Sequence, residues 1–174
     1  MSTTQLNSLL TSSLAYTYID QLEDGLNYNA VANIVGMTGL VQGSGDGEAN
    51  IAWHTIQTLA SGGVHNYDLH DLSFEVYNNS FSVSFSGSYI KGFIVKNNAE
   101  DSDCDIAISC TGVNIFNDPC NFGDAEFVVK RSSALLWTNT DGWYIDGNNR
   151  YFSIKDYGSG VNYELGIIGI SGII

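Results

Sequence analysis

Apolar and polar positions alternate along most of the chain beyond residue 50. The clearest case is Phe81-Ser82-Val83-Ser84-Phe85, with apolar side chains on one face and serines on the other. IAWHTIQTL at 51–59 reads as a strand ended by Ser61-Gly62-Gly63, and YDLHDLSFEVY at 67–77 leads to a turn at Asn78-Asn79. SYIKGFIVK at 88–96 is apolar on both faces (Ile90 and Ile94; Phe93 and Val95), as in a central strand. Further strands are expected at 104–110, 126–130, 134–138, 143–145, 150–155 and 161–170. Asp141-Gly142, Asp146 to Asn149 and Tyr157 to Gly160 supply hairpin and turn chemistry between them. Nine or ten short strands, with no convincing helix between them, predict an all-β protein. The expected fold is a jelly-roll-like antiparallel β-sandwich over 51–174, with Phe81, Val83, Phe85, Ile106, Ile108 and Ile154 in its core.

The first fifty residues read differently. Leu6, Leu9, Leu10 and Leu14 have helical spacing, yet the intervening Ser and Thr are poor helix formers, and Leu14, Tyr16 and Tyr18 alternate. An extended or partly helical arm is expected, followed by the mostly apolar run 30–41 and the Gly-rich linker QGSGDGEAN at 42–50. The arm is expected to dock on a neighbouring subunit or shell, with Leu6, Leu9, Leu10, Leu14, Tyr16 and Tyr18 as anchoring residues. At the other end, ELGIIGISGII at 164–174 is apolar on both faces. Either this strand is central and covered within its own subunit, or it lies at a subunit contact made by Leu165, Ile167, Ile168, Ile170, Ile173 and Ile174.

Composition narrows the function classes. The chain has 174 residues, 44% of them hydrophobic and only 14% charged, so a real core is expected without disulfides or metal. Nineteen glycines and a single proline suit a turn-rich β protein. The formal charge of −13 repels nucleic-acid phosphates and anionic membrane surfaces, so neither is an expected partner. No apolar run reaches the ~18 residues of a membrane span. No Lys or Arg precedes Lys91, so a cleaved signal peptide is not expected either. Residues 1–90 carry eight acids and no Lys or Arg, and their acids are best read as solvated.

Candidate chemistry is sparse. Cys104 and Cys110 would lie about 20 Å apart along one strand, too far for a disulfide between them. With Cys120 they read as buried free thiols in a reducing compartment. His54, His65 and His70 include no His-x-His pair, so a metal site of the cupin kind is not expected. No Gly-x-Ser-x-Gly elbow marks a nucleophile, and Gly43, Gly45 and Gly47 are followed by neither Lys nor a clear helix. The acids Glu100, Asp101, Asp103 and Asp105, and likewise Asp46 and Glu48, lack calcium-loop spacing. Trp53 and Trp137 fall in strand patterns and read as core, whereas Trp143 beside a turn is expected nearer the surface. No catalytic residue, cofactor or metal is expected.

Three segments carry a family resemblance: AWHTIQTLASGGVHNYDLHDL (52–72), SYIKGFIVKNN (88–98) and DGWYIDGNNRYFSIKDYGSGVNYELGIIGIS (141–171). Their strand and turn residues resemble those of tailed-bacteriophage virion proteins of the jelly-roll capsid cement (decoration) type. The resemblance covers about two-thirds of the chain and departs from the family at Lys130-Arg131-Ser132-Ser133, where relatives often have a Pro-Gly turn. It implies a non-enzymatic homotrimer made in the host cytoplasm and mounted on the virion surface. Its partner there would be the major capsid protein or neighbouring virion subunits. The alternative on the same fold is a carbohydrate- or receptor-binding tail or fibre module using exposed Tyr, Trp, Asn and Asp.

Overall fold

The computed structural model describes residues 8–21, 27–42, 48–76, 79–100, 103–110, 113–116 and 126–170, and for 8–39, 41–42, 74–76 and 79–81 the backbone alone. The described residues form strands and turns without a helix. In chain order the strands are β1 (Ser8–Gln21), β2 (Asn27–Gln42), β3 (Glu48–Ala49), β4 (Ile51–Ala60) and β5 (Val64–Asp68). There follow β6 (Leu72–Val76), β7 (Asn79–Val83), β8 (Ser88–Asn97) and β9 (Ile106–Ser109). The last four are β10 (Glu126–Val129), β11 (Ala134–Ile145), β12 (Tyr151–Asp156) and β13 (Gly160–Ile170).

Eight of them build two four-stranded antiparallel sheets, ordered β11-β8-β13-β4 and β10-β9-β12-β5. That pairing of early strands with late ones is the order of a jelly roll, with β6–β7 inserted as a separate hairpin. The alternating pattern explains the layers, since each sheet turns its apolar face inward. Trp53, Leu59, Ile90, Phe93, Val95, Tyr163, Leu165 and Ile167 of the first sheet meet Ile106, Ile108, Phe152 and Ile154 of the second. Phe85 joins them from the loop before β8, and Val83 packs against the core half-buried. Phe81 falls on β7 where only the backbone is described.

Three local readings change in the fold. First, the expected strands 134–138 and 143–145 are one strand, β11, and Asp141-Gly142 is not a hairpin turn. Register breaks between Thr138 and Trp143, so residues 139–142 bulge out of the ladder. Asn139 holds the bulge, accepting the Asp141 N–H (3.0 Å) and donating to the Gly142 carbonyl (3.2 Å). Gly142 has φ of 87°, which a side chain would resist. Second, the expected strand 67–77 is cut by a turn at Leu69-His70 into β5 and β6. Third, Ser132 adopts φ of 51°, taking in the Lys130–Ser133 turn the left-handed conformation that glycine usually supplies.

The central strand β8 hides a slip of its own. Gly92 pairs with Thr138 and Ile168, Ile90 pairs with Trp143 and Gly169, and Lys91 has a register partner on neither side. This extra residue inverts the alternation, so Ile90 before it and Phe93 and Val95 after it all face inward, leaving Ile94 outward. The Lys91 side chain is buried completely, and its ammonium donates to the Thr140 carbonyl in the β11 bulge.

The arm is strand rather than helix. β1 and β2 pair antiparallel from Ser8↔Leu40 to Gln21↔Asn27, a ribbon about 46 Å long at ~3.3 Å per residue. Cross-strand pairing satisfies the backbone of a Ser-, Thr- and Tyr-rich segment better than a helix would, and the alternation of Leu14, Tyr16 and Tyr18 prevails over the leucine spacing. β2 then pairs parallel with β3, and Asn50 N–H donates to the Gly169 carbonyl (2.9 Å), tying the ribbon's base to β13. Leu40 and Ala49 bury there against Ile168 and Ile170. The Gly-rich break at 43–47 and residue Leu6 lie outside the described residues.

Candidate functional site

β13 runs between β8 and β4, and its inner face and the Ile168–Ile170 end of its outer face are covered within one chain. Leu165 (0% exposed) and Ile167 (2%) point into the sandwich, so these two are core and offer no surface to a second subunit. Ile168 and Ile170 point outward but close under Leu40 and Ala49. The central-strand reading of this segment is therefore the one adopted, and Ile173 and Ile174 lie outside the described residues. Of the arm residues, Leu9, Leu10, Leu14, Tyr16 and Tyr18 lie on β1, opposite Gly39, Thr38, Ile34, Ala32 and Ala30.

The outer face of the β11-β8-β13-β4 sheet is what β13 leaves open. Register aligns His54, Gly166, Ile94 and Leu136 in one row across the four strands, and Ala52, Ile168, Gly92 and Thr138 in the next. Two glycines and an alanine in adjoining rows make a trough. It has a volume of about 150 Å³ and is lined by Trp53, Gly92, Ile94, Gly166, Ile167 and Ile168. Ile94 leans over Gly166, where a Cβ would come within 2.9 Å of its Cγ2. Ile94 is 36% exposed and Ile56, one row further on, 63%. That row also carries Lys96 and Glu164, joined at 3.0 Å, with His54 Nε2 3.8 Å from Glu164. Hydrogen bonds from Asn98 and Lys96 hold the Glu164 carboxyl below its ordinary range.

A second polar group sits inside the sandwich at its β4–β5 side. Tyr163 is fully buried, its hydroxyl bonded to Tyr67 Oη and to His65 Nδ1 (2.7 Å). Burial, and then the Tyr67 hydrogen bond, push the Tyr163 phenol far above its ordinary 10.0. Burial likewise raises Tyr67, partly opposed by its bond to Tyr163. Tyr67 stacks on Phe152 (5.0 Å) and meets Trp53 edge-on (5.8 Å). Two neutral phenols and an imidazole that satisfy one another knit the two sheets together and expose no nucleophile.

The remaining polar residues also serve the frame. Asp68 takes a bidentate pair from Arg150, whose guanidinium lies over the Tyr151 ring (4.6 Å). Burial alone would raise Asp68, but the Arg150 hydrogen bonds and charge outweigh it and lower its pKa. His54, His65 and His70 stand apart, and among the described residues no group of three His, Cys, Asp or Glu side chains is placed to hold a metal. Trp143 is not a surface residue: it is half-buried and packs edge-on against Phe116 (6.3 Å). Cys104 is a buried free thiol, as expected, but Cys110 is disulfide-bonded. Strand spacing excluded only the Cys104–Cys110 pair, so a bridge from the strand end to another part of the chain escaped it. Cys120 lies outside the described residues. The reducing-compartment reading therefore falls for Cys110.

Comparison of the sequence with family models and with curated proteins returns no match. The buried polar residues that organise the molecule, Lys91 and Tyr163, carry no sequence motif. The slip that buries Lys91 left no signal in the sequence, whose period of two sets Ile90 with Ile94.

Proposed function

We propose that this protein is a non-enzymatic virion structural subunit, a cement protein that binds and stabilises a phage head. The observation that carries this reading is the β1–β2 ribbon. At about 46 Å it outruns the ~40 Å of the longest described sandwich strand, and it is tied to the body at its base, where Leu40 meets Ile168 and Ile170. A two-stranded ribbon is marginal in water by itself, so a partner surface that covers it explains its presence. Binding by area and backbone pairing needs no catalytic group, in keeping with the structural roles of the polar clusters. The Cys110 disulfide suits a particle that leaves the reducing cytoplasm of its host, and the acidic surface keeps particles apart. The major capsid protein is the proposed partner, and a trimer the proposed assembly. The reading rests also on the family resemblance of the three strand segments.

The test uses purified heads that lack the protein. The full chain should bind them and raise their thermal and osmotic stability. A variant lacking residues 1–36 keeps Leu40 and Ala49 over Ile168 and Ile170, and should stay folded while failing to bind. Undiminished decoration by that variant overturns the arm's role. A second reading, a glycan- or receptor-binding module, is favoured by one feature: Tyr89 and Tyr144 lie 5.0 Å apart, 38% and 46% exposed. Glycan-array binding that Tyr144→Ala abolishes, without head binding by the full chain, would establish it instead.

A further inference from the structure

We infer that the outer face of the β11-β8-β13-β4 sheet is a homotypic contact: it docks on a second copy of this chain through Ile56, Ile94 and Leu136 around the Gly92–Gly166 trough. Four observations choose the occupant. The face continues directly from Ile168 and Ile170, which the chain covers with its own Leu40 and Ala49, so it extends an apolar contact already in place. The net charge of −13 opposes self-association, yet the polar row on this face holds Lys96 with Glu164 and is locally neutral. That row is also self-complementary, because a second copy turned about an axis near Ile56 can set its Lys96 against Glu164. The strand at this edge, β4, carries no charged residue and no proline in ten residues, so it lacks the usual features that keep sheet edges apart.

The trough gives the contact its shape. Gly92 and Gly166 let an opposing apolar side chain reach the sheet backbone, and Ile94 and Ile56 flank it as ridges. Four strands ~4.8 Å apart and about eight residues long present a face of roughly 500 Å², at the lower end of what a specific interface needs per partner. This two-fold contact goes beyond the trimer of the cement-protein reading, which needs a heterologous interface, and it is tested on the purified chain without particles. Its failure therefore leaves the head-binding measurement standing.

Sedimentation equilibrium of the full chain should show concentration-dependent self-association. The paired change Ile56→Asp with Ile94→Asp should weaken it at least about 100-fold, because each places an unpaired carboxylate in the contact. Both side chains point outward, so circular dichroism of the variant should match that of the parent. Gly166→Leu fills the trough and provides a second, uncharged variant that should weaken association as well. A parent chain that stays monomeric to millimolar concentration overturns the inference, whatever the variants do. So does a folded variant pair that associates as tightly as the parent. Association lost only on removing residues 1–36 would assign the contact to the ribbon instead, and also overturns it.

Discussion

Asn97 joins the two sheets, and its replacement by alanine is a direct measure of that join. The residue sits at the end of β8 with no exposure. Its Nδ2 donates to the carbonyls of Cys104 (2.6 Å) and Val129 (3.1 Å), two residues before β9 and at the end of β10, and its Oδ1 accepts the Ala99 N–H (2.9 Å). All three backbone groups belong to residues no more than 9% exposed, so water does not readily replace the amide. Leaving a buried polar group unpaired costs about 1–3 kcal/mol, so three groups with partial relaxation give about 3–5 kcal/mol. That is a large fraction of a typical ~5–15 kcal/mol total. At ~2–4 °C per kcal/mol for a chain of this size, Tm should fall by about 10 °C. Urea unfolding should show a lower midpoint at unchanged slope. Asn97→Asp keeps the acceptor but turns a carboxylate toward two carbonyls. Its folded pKa is then raised, so its stability should improve as pH falls and the acid regains a donor. An Asn97→Ala protein within about 1 kcal/mol of the parent would refute the reasoning.

Other expectations follow from the same physics. The raised phenols of Tyr163 and Tyr67 stabilise fully below the ordinary 10.0 and lose that contribution as pH rises above it, because the unfolded chain ionises first. Tyr163→Phe should therefore flatten the alkaline limb of a stability–pH curve by one proton, and cost about 1–2 kcal/mol at neutral pH by orphaning His65 Nδ1 and Tyr67 Oη. The lowered Asp68 contributes fully above its ordinary 3.8 and loses that contribution as pH falls through the folded value, so Asp68→Asn should show a shallower acid limb in denaturant titrations. Gly158→Ala would set a Cβ 1.5 Å from the Asp103 carbonyl oxygen, forcing the backbone apart, and should cost at least about 3 kcal/mol by thermal melting.

Class and strand content were legible in the sequence because a sheet that covers a core on one face must alternate. FSVSF carries that alternation in residue types alone, and Phe85, Ile106, Ile108 and Ile154 are buried as the pattern requires. Ranges for the later strands also came within a few residues, since Gly, Asn and Asp mark where the chain can turn. Tertiary structure decided what alternation does not encode. Asp141-Gly142 reads as a hairpin turn from its residues, but both flanking segments pair with the same strand, β8, so the dipeptide becomes a bulge. The slip at Lys91 is likewise a property of three strands in register, and it alone puts Ile90 and Phe93 on one face. The two-sided apolar pattern of ELGIIGI is equally compatible with a central strand and with a subunit contact. Only the placement of Leu40 and Ala49 over Ile168 and Ile170 separates them. Its physical reason is general: sequence spacing states which side chains share a face, whereas what covers that face depends on segments more than a hundred residues away, brought there by the fold.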